Sequence, residues 1–154
     1  MQIEHLYISP AHNYFGHHGK PAGESPVIEV QEVECVAGKG LSGDRFFDHK
    51  DNYKGQVTFF SMEIYDCLCE KLGVTDKEPY VFRRNVMTRG VDLNTLIGRE
   101  FELQGVTFLG TEEARPCYWM EQAFAVGAEA AMQGFGGLRA RILTDGILKV
   151  SQLN

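Results

Sequence analysis

The residue with the most chemistry around it is Cys117, in the run EEARPCYWM. Arg115 and Pro116 precede it directly, and proline suits the first turn of a helix. A cysteine at a helix start feels the positive end of the helix dipole, and a neighbouring arginine adds to that field. Both favour the thiolate, the form that attacks, carries sulfur or ligates a metal. The competing reading is a buried, inert thiol, since free cysteine is among the most buried residue types. Cys35, Cys67 and Cys69 fall in a predicted strand and a predicted helix body, and all three read as packing residues.

The arginines are the second signal: Arg45, Arg83, Arg84, Arg89, Arg99, Arg115, Arg139 and Arg141. Arg139 and Arg141 lie two apart on a predicted strand and so share one face. Arg83-Arg84-Asn85 would place a guanidinium on each face of its strand. In a chain of net charge −6, this set points to a local anion site, because guanidinium matches phosphate bidentately. For Arg139 and Arg141 alone, a solvated face with surface ion pairs is the plainer reading. The runs GKGLSGDR and GFGGLR could let backbone N–H groups approach a phosphate. Neither matches a P-loop or a GxGxxG fingerprint, and turn geometry accounts for most of their glycines. His12, His17 and His18 could ligate a metal. They lack supporting cysteine or carboxylate spacing and read as a solvated loop, as do His5 and His49. No Ser-His-Asp order or GxSxG elbow is present, and no carboxylate pair stands out as an acid/base dyad.

These groups need elements to hold them. Ile3 to Ile8 is a short apolar piece, followed by an irregular Gly/Pro/His-rich loop to residue 26. Val27 to Val36 reads as a strand whose apolar phase changes midway, as a bulge or bend would require. Gly55 to Phe60 is a strand. Ser61 is placed to cap the following helix, with Glu63 in its first turn, Lys71 in its last and Gly73 at its end. Tyr80 to Thr88 reads as a strand with charge at its centre, and VDLNTLIG as a turn or short helical piece. Arg99 to Leu103 and Val106 to Leu109 form a hairpin about Gln104-Gly105. A helix is predicted from about Tyr118 to Gln133. Leu138 to Leu143 and Ile147 to Val150 are predicted to form a last hairpin around Asp145-Gly146.

The expected fold is mainly β with peripheral helices, α+β in class: a small closed β-barrel with helices outside, which leaves no strand edge open. A length of 154 residues suits one domain. Hydrophobic residues at 44% and charged residues at 23% argue against disorder. The negative net charge disfavours a general nucleic-acid binder. No apolar run is long enough to span a bilayer, and MQIEHLYISP lacks the regions of a signal peptide. Four cysteines with no CxxC spacing do not read as a disulfide framework or a zinc site. The expectation is a reduced, cytoplasmic protein with small-molecule partners, and no nucleic acid or membrane among them.

The ordered set GKGLSGDR, GQVTFFSMEIYDCL, FRRNVMTRGVDLNTLIGREF, GTEEARPCYWM and GGLRARIL resembles the MOSC domain, found at the C-terminus of molybdenum cofactor sulfurases, alone in small bacterial proteins, and within amidoxime-reducing enzymes. The likeness runs from about Val27 to Val150. It implies a β-barrel like the one inserted in pyruvate kinase, and binding of a molybdenum–pterin cofactor. It implies that Cys117 ligates the metal or carries sulfur. It implies that Arg83, Arg84 and Asn85 help hold the cofactor, that Gly43, Asp44 and Arg45 form the family's GDR motif, and that Thr58, Arg89, Arg139 and Arg141 lie in matching strands. An electron-donor or sulfur-donor protein would be a partner. Three departures stand out. Phe46 follows GDR where many members carry histidine. There is no separate N-terminal barrel domain such as cradles the cofactor in the amidoxime-reducing relatives. There is no aminotransferase-like domain, and no lysine resembles a Schiff-base partner for pyridoxal phosphate, so that cofactor is not expected.

Overall fold

Adjacent residues on a strand face opposite ways, and three neighbouring strands use this to build two cores at once. The computed structural model describes residues 1–12, 20–23 and 25–152. Its elements run β1 (Gln2–Ile8), β2 (Ile28–Val30), β3 (Glu32–Val36), β4 (Gly40–Leu41), β5 (Val57–Ser61), α1 (Met62–Leu72), β6 (Val86–Arg89), β7 (Glu100–Leu103), β8 (Val106–Glu113), α2 (Trp119–Ala123), α3 (Ala128–Ala131), β9 (Leu138–Ile142) and β10 (Gly146–Lys149). Short 3₁₀ turns cover Pro79–Phe82 and Leu93–Leu96. Leu6, Phe59 and Val86 point into a core shared with Val33, Cys35, Leu41 and Leu148. Their chain neighbours Tyr7, Phe60 and Met87 point the other way, into a core closed by Leu68, Phe82, Met120, Phe124 and Met132.

The fold is mainly β with few helices. Seven strands form one sheet in the order β2-β1-β6-β5-β9-β8-β7, and β10-β3-β4 form a second. Among the described strands, β5 and β6 are the one parallel pair, joined through α1. The expected closed barrel is not present as a continuous ladder: among the described residues, no strand pairing links β2 to β7. The small sheet is instead tied to the large one by a side chain. The Gln104 amide, at the β7–β8 turn, donates to the Lys149 carbonyl at 2.8 Å and accepts from the Lys149 N–H at 2.7 Å.

Three further expectations are corrected. β9 and β10 do not form a hairpin, since β10 pairs with β3. Thr144 accepts from the Thr107 N–H and Asp145 from the Ala37 N–H, so these turn residues bind neighbouring segments and lead the chain out of the large sheet. The first half of Tyr80 to Thr88 is 3₁₀ turn, and Arg83 adopts the left-handed conformation at φ 56°. The helix expected over 118–133 is broken into α2 and α3. The Glu121 carboxylate accepts from the Gly127 and Glu129 N–H groups at 2.6 and 3.1 Å, which starts a new helix there. The phase change within Val27 to Val36 is a division between sheets: β2 joins the large one and β3 the small one.

Helix α1 follows its local signals. The Ser61 hydroxyl accepts from the Ile64 N–H at 3.3 Å, and Gly73 closes the helix in the left-handed conformation. Ser61→Ala is expected to lower stability by about 1 kcal/mol, read as a shifted urea midpoint at unchanged slope. Of the cysteines read as packing, Cys35 is buried, and burial pushes its thiol up to about 12. Cys69 is half-buried, but Cys67 is exposed on α1 and so departs from that expectation.

Candidate functional site

Asp44 is the hub from which the site is built. Its side chain is wholly buried, and a buried carboxylate must be satisfied by donors. Oδ1 accepts from the Ser9 N–H at 3.0 Å, Arg45 Nη1 at 3.2 Å and Asn85 Nδ2 at 3.3 Å, while Oδ2 accepts from the Phe46 N–H at 3.2 Å. The β4–β5 loop is thereby fastened to β1 and β6. Asn85 extends the network. It donates to the Tyr7 carbonyl at 3.1 Å and accepts from the Thr58 N–H and hydroxyl, both at 3.0 Å. The glycine before the hub, Gly43, is exposed in its turn.

A cleft of about 520 Å³ opens beside this network. Arg45, Thr58, Arg83, Arg84, Arg115, Cys117 and Arg139 all line it. Asp44 and Asn85 stand behind it as scaffold. Arg89 and Arg141 are not among its lining residues. The Arg89 guanidinium pairs with Glu4 and Asp66, and Arg141 donates to the Asn52 carbonyl. Arg139 and Arg141 share a face of β9, yet only Arg139 reaches the cleft.

Four of the lining arginines, Arg45, Arg83, Arg84 and Arg139, are held by their neighbours. Arg45 donates to the Arg83 carbonyl at 3.2 Å, and Arg83 to the Ala11 carbonyl at 3.0 Å. Arg84 donates to the carbonyls of Gly136, Phe82 and Ala114 at 3.0, 3.1 and 2.9 Å, so three of its N–H groups knit the cleft floor. Burial pushes its guanidinium down to about 10, and negative charge on Cys117 opposes that shift. It is therefore still cationic at neutral pH. Arg139 pairs with Glu112 at 2.6 Å and donates to the Tyr53 hydroxyl at 2.8 Å.

Close approach matters at two glycines beside the cleft, against backbone at Gly136 and against a side chain at Gly55. A Cβ at Gly136 would lie 2.2 Å from the Ala114 carbonyl oxygen, so the GFGG run can lie against the strand that leads to Cys117. A Cβ at Gly55 would lie 2.6 Å from Arg139 Nε. Gly55→Ala should leave the fold stable, because the tip of Arg139 can swing away. Moving that guanidinium should weaken anion binding about tenfold, measured by sulfate titration.

Cys117 is exposed and lies on the loop before α2, a helix of five residues. The dipole of so short a helix is a minor influence. The thiol shares its cleft with five arginines and with Glu112 and Glu113. The remaining wall is aromatic. Phe46 stacks on Tyr53 with centroids 5.4 Å apart and meets His12 edge-on at 4.9 Å. The Arg45 and Arg139 guanidinia lie over Phe46 and Tyr53, at 4.7 and 5.1 Å. His17 and His18 lie outside the described residues.

Sequence reasoning missed Tyr53, Glu112, Glu113 and Met120 as lining residues, and left His12 without a role. The glutamates adjoin Cys117 in EEARPC, which was the available signal. Nothing local marks Tyr53. Chemically, the cleft offers a soft sulfur, cationic groups suited to an anion, and apolar surface from Phe82 and Met120. Among the described residues, no group of three or more His, Cys, Asp or Glu is placed to hold a metal ion. A metal held here would need ligands brought with it. No helix among them is long and apolar enough to cross a membrane.

Comparison with known proteins agrees with this architecture. The YUAD protein from Bacillus subtilis superposes at a TM-score of 0.73 with 19% identity, over 97% of this chain and 91% of that one. YiiM from Geobacillus stearothermophilus gives 0.68 with 13% identity over 96% and 70%. YiiM from Escherichia coli gives 0.62 with 17% identity over 98% and 71%. At these identities the likeness is one of fold. No curated protein matches the sequence significantly. The family model of the MOSC domain matches residues 17–152, nearly the whole chain, and the protein belongs to that family.

Proposed function

We propose that the cleft binds a molybdenum–pterin cofactor, with Cys117 as the protein's ligand to the metal, and that the loaded protein reduces N-hydroxylated compounds. The observation that carries this reading is a solvent-accessible thiol sharing one cleft with five arginines. The donor set fits the group: one thiolate suits a thiophilic metal that arrives already liganded, and guanidinium suits a phosphate. The volume is within the ordinary range of a small-molecule site, roughly 300–1,000 Å³. The metal would supply the redox change, while the protein supplies binding and electrostatics. Arg45, Arg83 and Arg139 would hold the phosphate end. Thr58, whose hydroxyl donates to Asn85, would brace the strand behind that end, and Arg84 and Arg115 would keep the surroundings of the sulfur positive. Among the described residues, none that lines the cleft is a lysine.

The test is reduction of an aromatic N-hydroxylated amidine by cofactor-loaded protein, with a reduced dye standing in for the electron-donor protein. Turnover by the loaded form and none by the empty form is expected. Equal rates from both would overturn the enzymatic reading. Exposure of Cys117 also favours a second reading, a persulfide carrier served by a sulfur-donor protein. That reading requires a reducible mass increase confined to the Cys117 peptide.

A further inference from the structure

We propose that an anion entering the cleft brings one proton with it, and that His12 is the group that takes the proton. The inference rests on the cleft being the anion site proposed above. His12 lines that cleft together with Arg45 and Arg83. Its place is set by both arginines. The Arg83 guanidinium grips the carbonyl of Ala11, the preceding residue. Arg45 lies over one face of the Phe46 ring, whose other contacts include the His12 imidazole edge.

In the empty cleft, the imidazole has every reason to be neutral. Burial disfavours its charge, and Arg45, His49 and Arg83 repel it, while Asp44 pulls the other way. His12 is therefore held below the ordinary imidazole value of 6.5. His49 is its aromatic neighbour, 5.9 Å between centroids, and Arg139, Glu112 and Glu113 also line the cleft. A dianion bound among the arginines cancels the repulsion that keeps His12 neutral and adds an attraction. The imidazolium then becomes the favoured form, as a further donor to the anion. Coupling is reciprocal: if the anion raises proton affinity, the proton raises anion affinity. Affinity must then rise as pH falls, until His12 is protonated in the empty protein as well. A doubly charged anion such as a phosphate monoester gains more from this than a singly charged one.

The experiment uses inorganic sulfate, which stays doubly charged across the range and so carries no proton of its own. Calorimetric titration in two buffers of different ionisation enthalpy gives the protons taken up per sulfate. Wild-type protein should take up part of a proton at mildly acidic pH, and its sulfate affinity should fall as pH rises, by up to about tenfold per pH unit between the imidazole values of the empty and filled cleft, and then level off. His12→Gln should take up almost none and lose the pH dependence, with an unchanged thermal midpoint as evidence of folding. His49→Gln should still take up the proton on binding sulfate, because His12 remains. Proton uptake that survives in His12→Gln would overturn the assignment. So would wild-type binding without uptake, or no sulfate binding. The titration needs no molybdenum. A protein that never carries the cofactor can still pass this test, and a loaded one can fail it, so the two proposals fail separately.

Discussion

Asp44→Ala is expected to lower stability by about 3–5 kcal/mol, the usual range when one partner of a buried charged pair is removed. The loss has named parts. The Ser9 and Phe46 N–H groups lose their acceptor, the Asn85 amide loses one of its two, and Arg45 loses the carboxylate that offsets its burial. Arg45 is already held below the ordinary arginine value by burial, with Asp44 opposing that shift. The unpaired cation would then sit in a half-buried position beside Arg83. Domains of this kind are stable by only about 5–15 kcal/mol, so a large part of the margin goes with one carboxylate. Urea unfolding checks the figure. Asp44→Asn should lose less, because an amide oxygen can still accept one of these bonds. A change below 1 kcal/mol in the alanine variant would contradict the role of Asp44 as hub.

Cys117→Ala should behave in the opposite way. The side chain is exposed, so stability should move by no more than about 0.5 kcal/mol. Metal content should fall at least about tenfold, the usual lower bound even for loss of a group that only supports a metal ligand. Elemental analysis of the two proteins, prepared in parallel, checks this. The contrast with Asp44 matters, because loss of metal from Cys117→Ala cannot be blamed on unfolding.

Much of this was legible in the residues. Ser61, Glu63, Lys71 and Gly73 marked α1 because caps and terminal charges act within one turn. Gln104-Gly105 marked the β7–β8 hairpin for the same local reason. Asp145-Gly146 misled, because a turn dipeptide does not say which strand the chain will meet afterwards. There the side chains of Thr144 and Asp145 bind Thr107 and Ala37, contacts between residues distant in the chain. The break between α2 and α3 depends on Glu121 reaching Gly127 and Glu129. A glutamate in a helical pattern looks the same whether it caps or is solvated.

The candidate site divides along the same line. Cys117 and the arginines were visible because few side chains do their chemistry. Which arginines share a cleft is a matter of sheet order. β9 lies between β5 and β8, which brings Arg139 beside Thr58 and Glu112. Arg89 sits at the far end of β6 against Glu4 of β1. Asp44 and Asn85 matched the family's motif without showing that their work is to hold the loop and the strand behind the cleft. Tyr53 and His12 entered through rings brought together by the β4–β5 loop, for which the sequence carries no periodic signal.

The central claim is that this cleft holds a molybdenum–pterin cofactor. The direct test is the molybdenum-to-protein and pterin-to-protein ratio of the wild-type chain, purified without oxygen from a host that makes the cofactor. A molybdoenzyme expressed in the same cells shows that the supply is adequate. The account predicts both ratios near one. Neither molybdenum nor pterin on this chain, with the companion enzyme fully loaded, would contradict it.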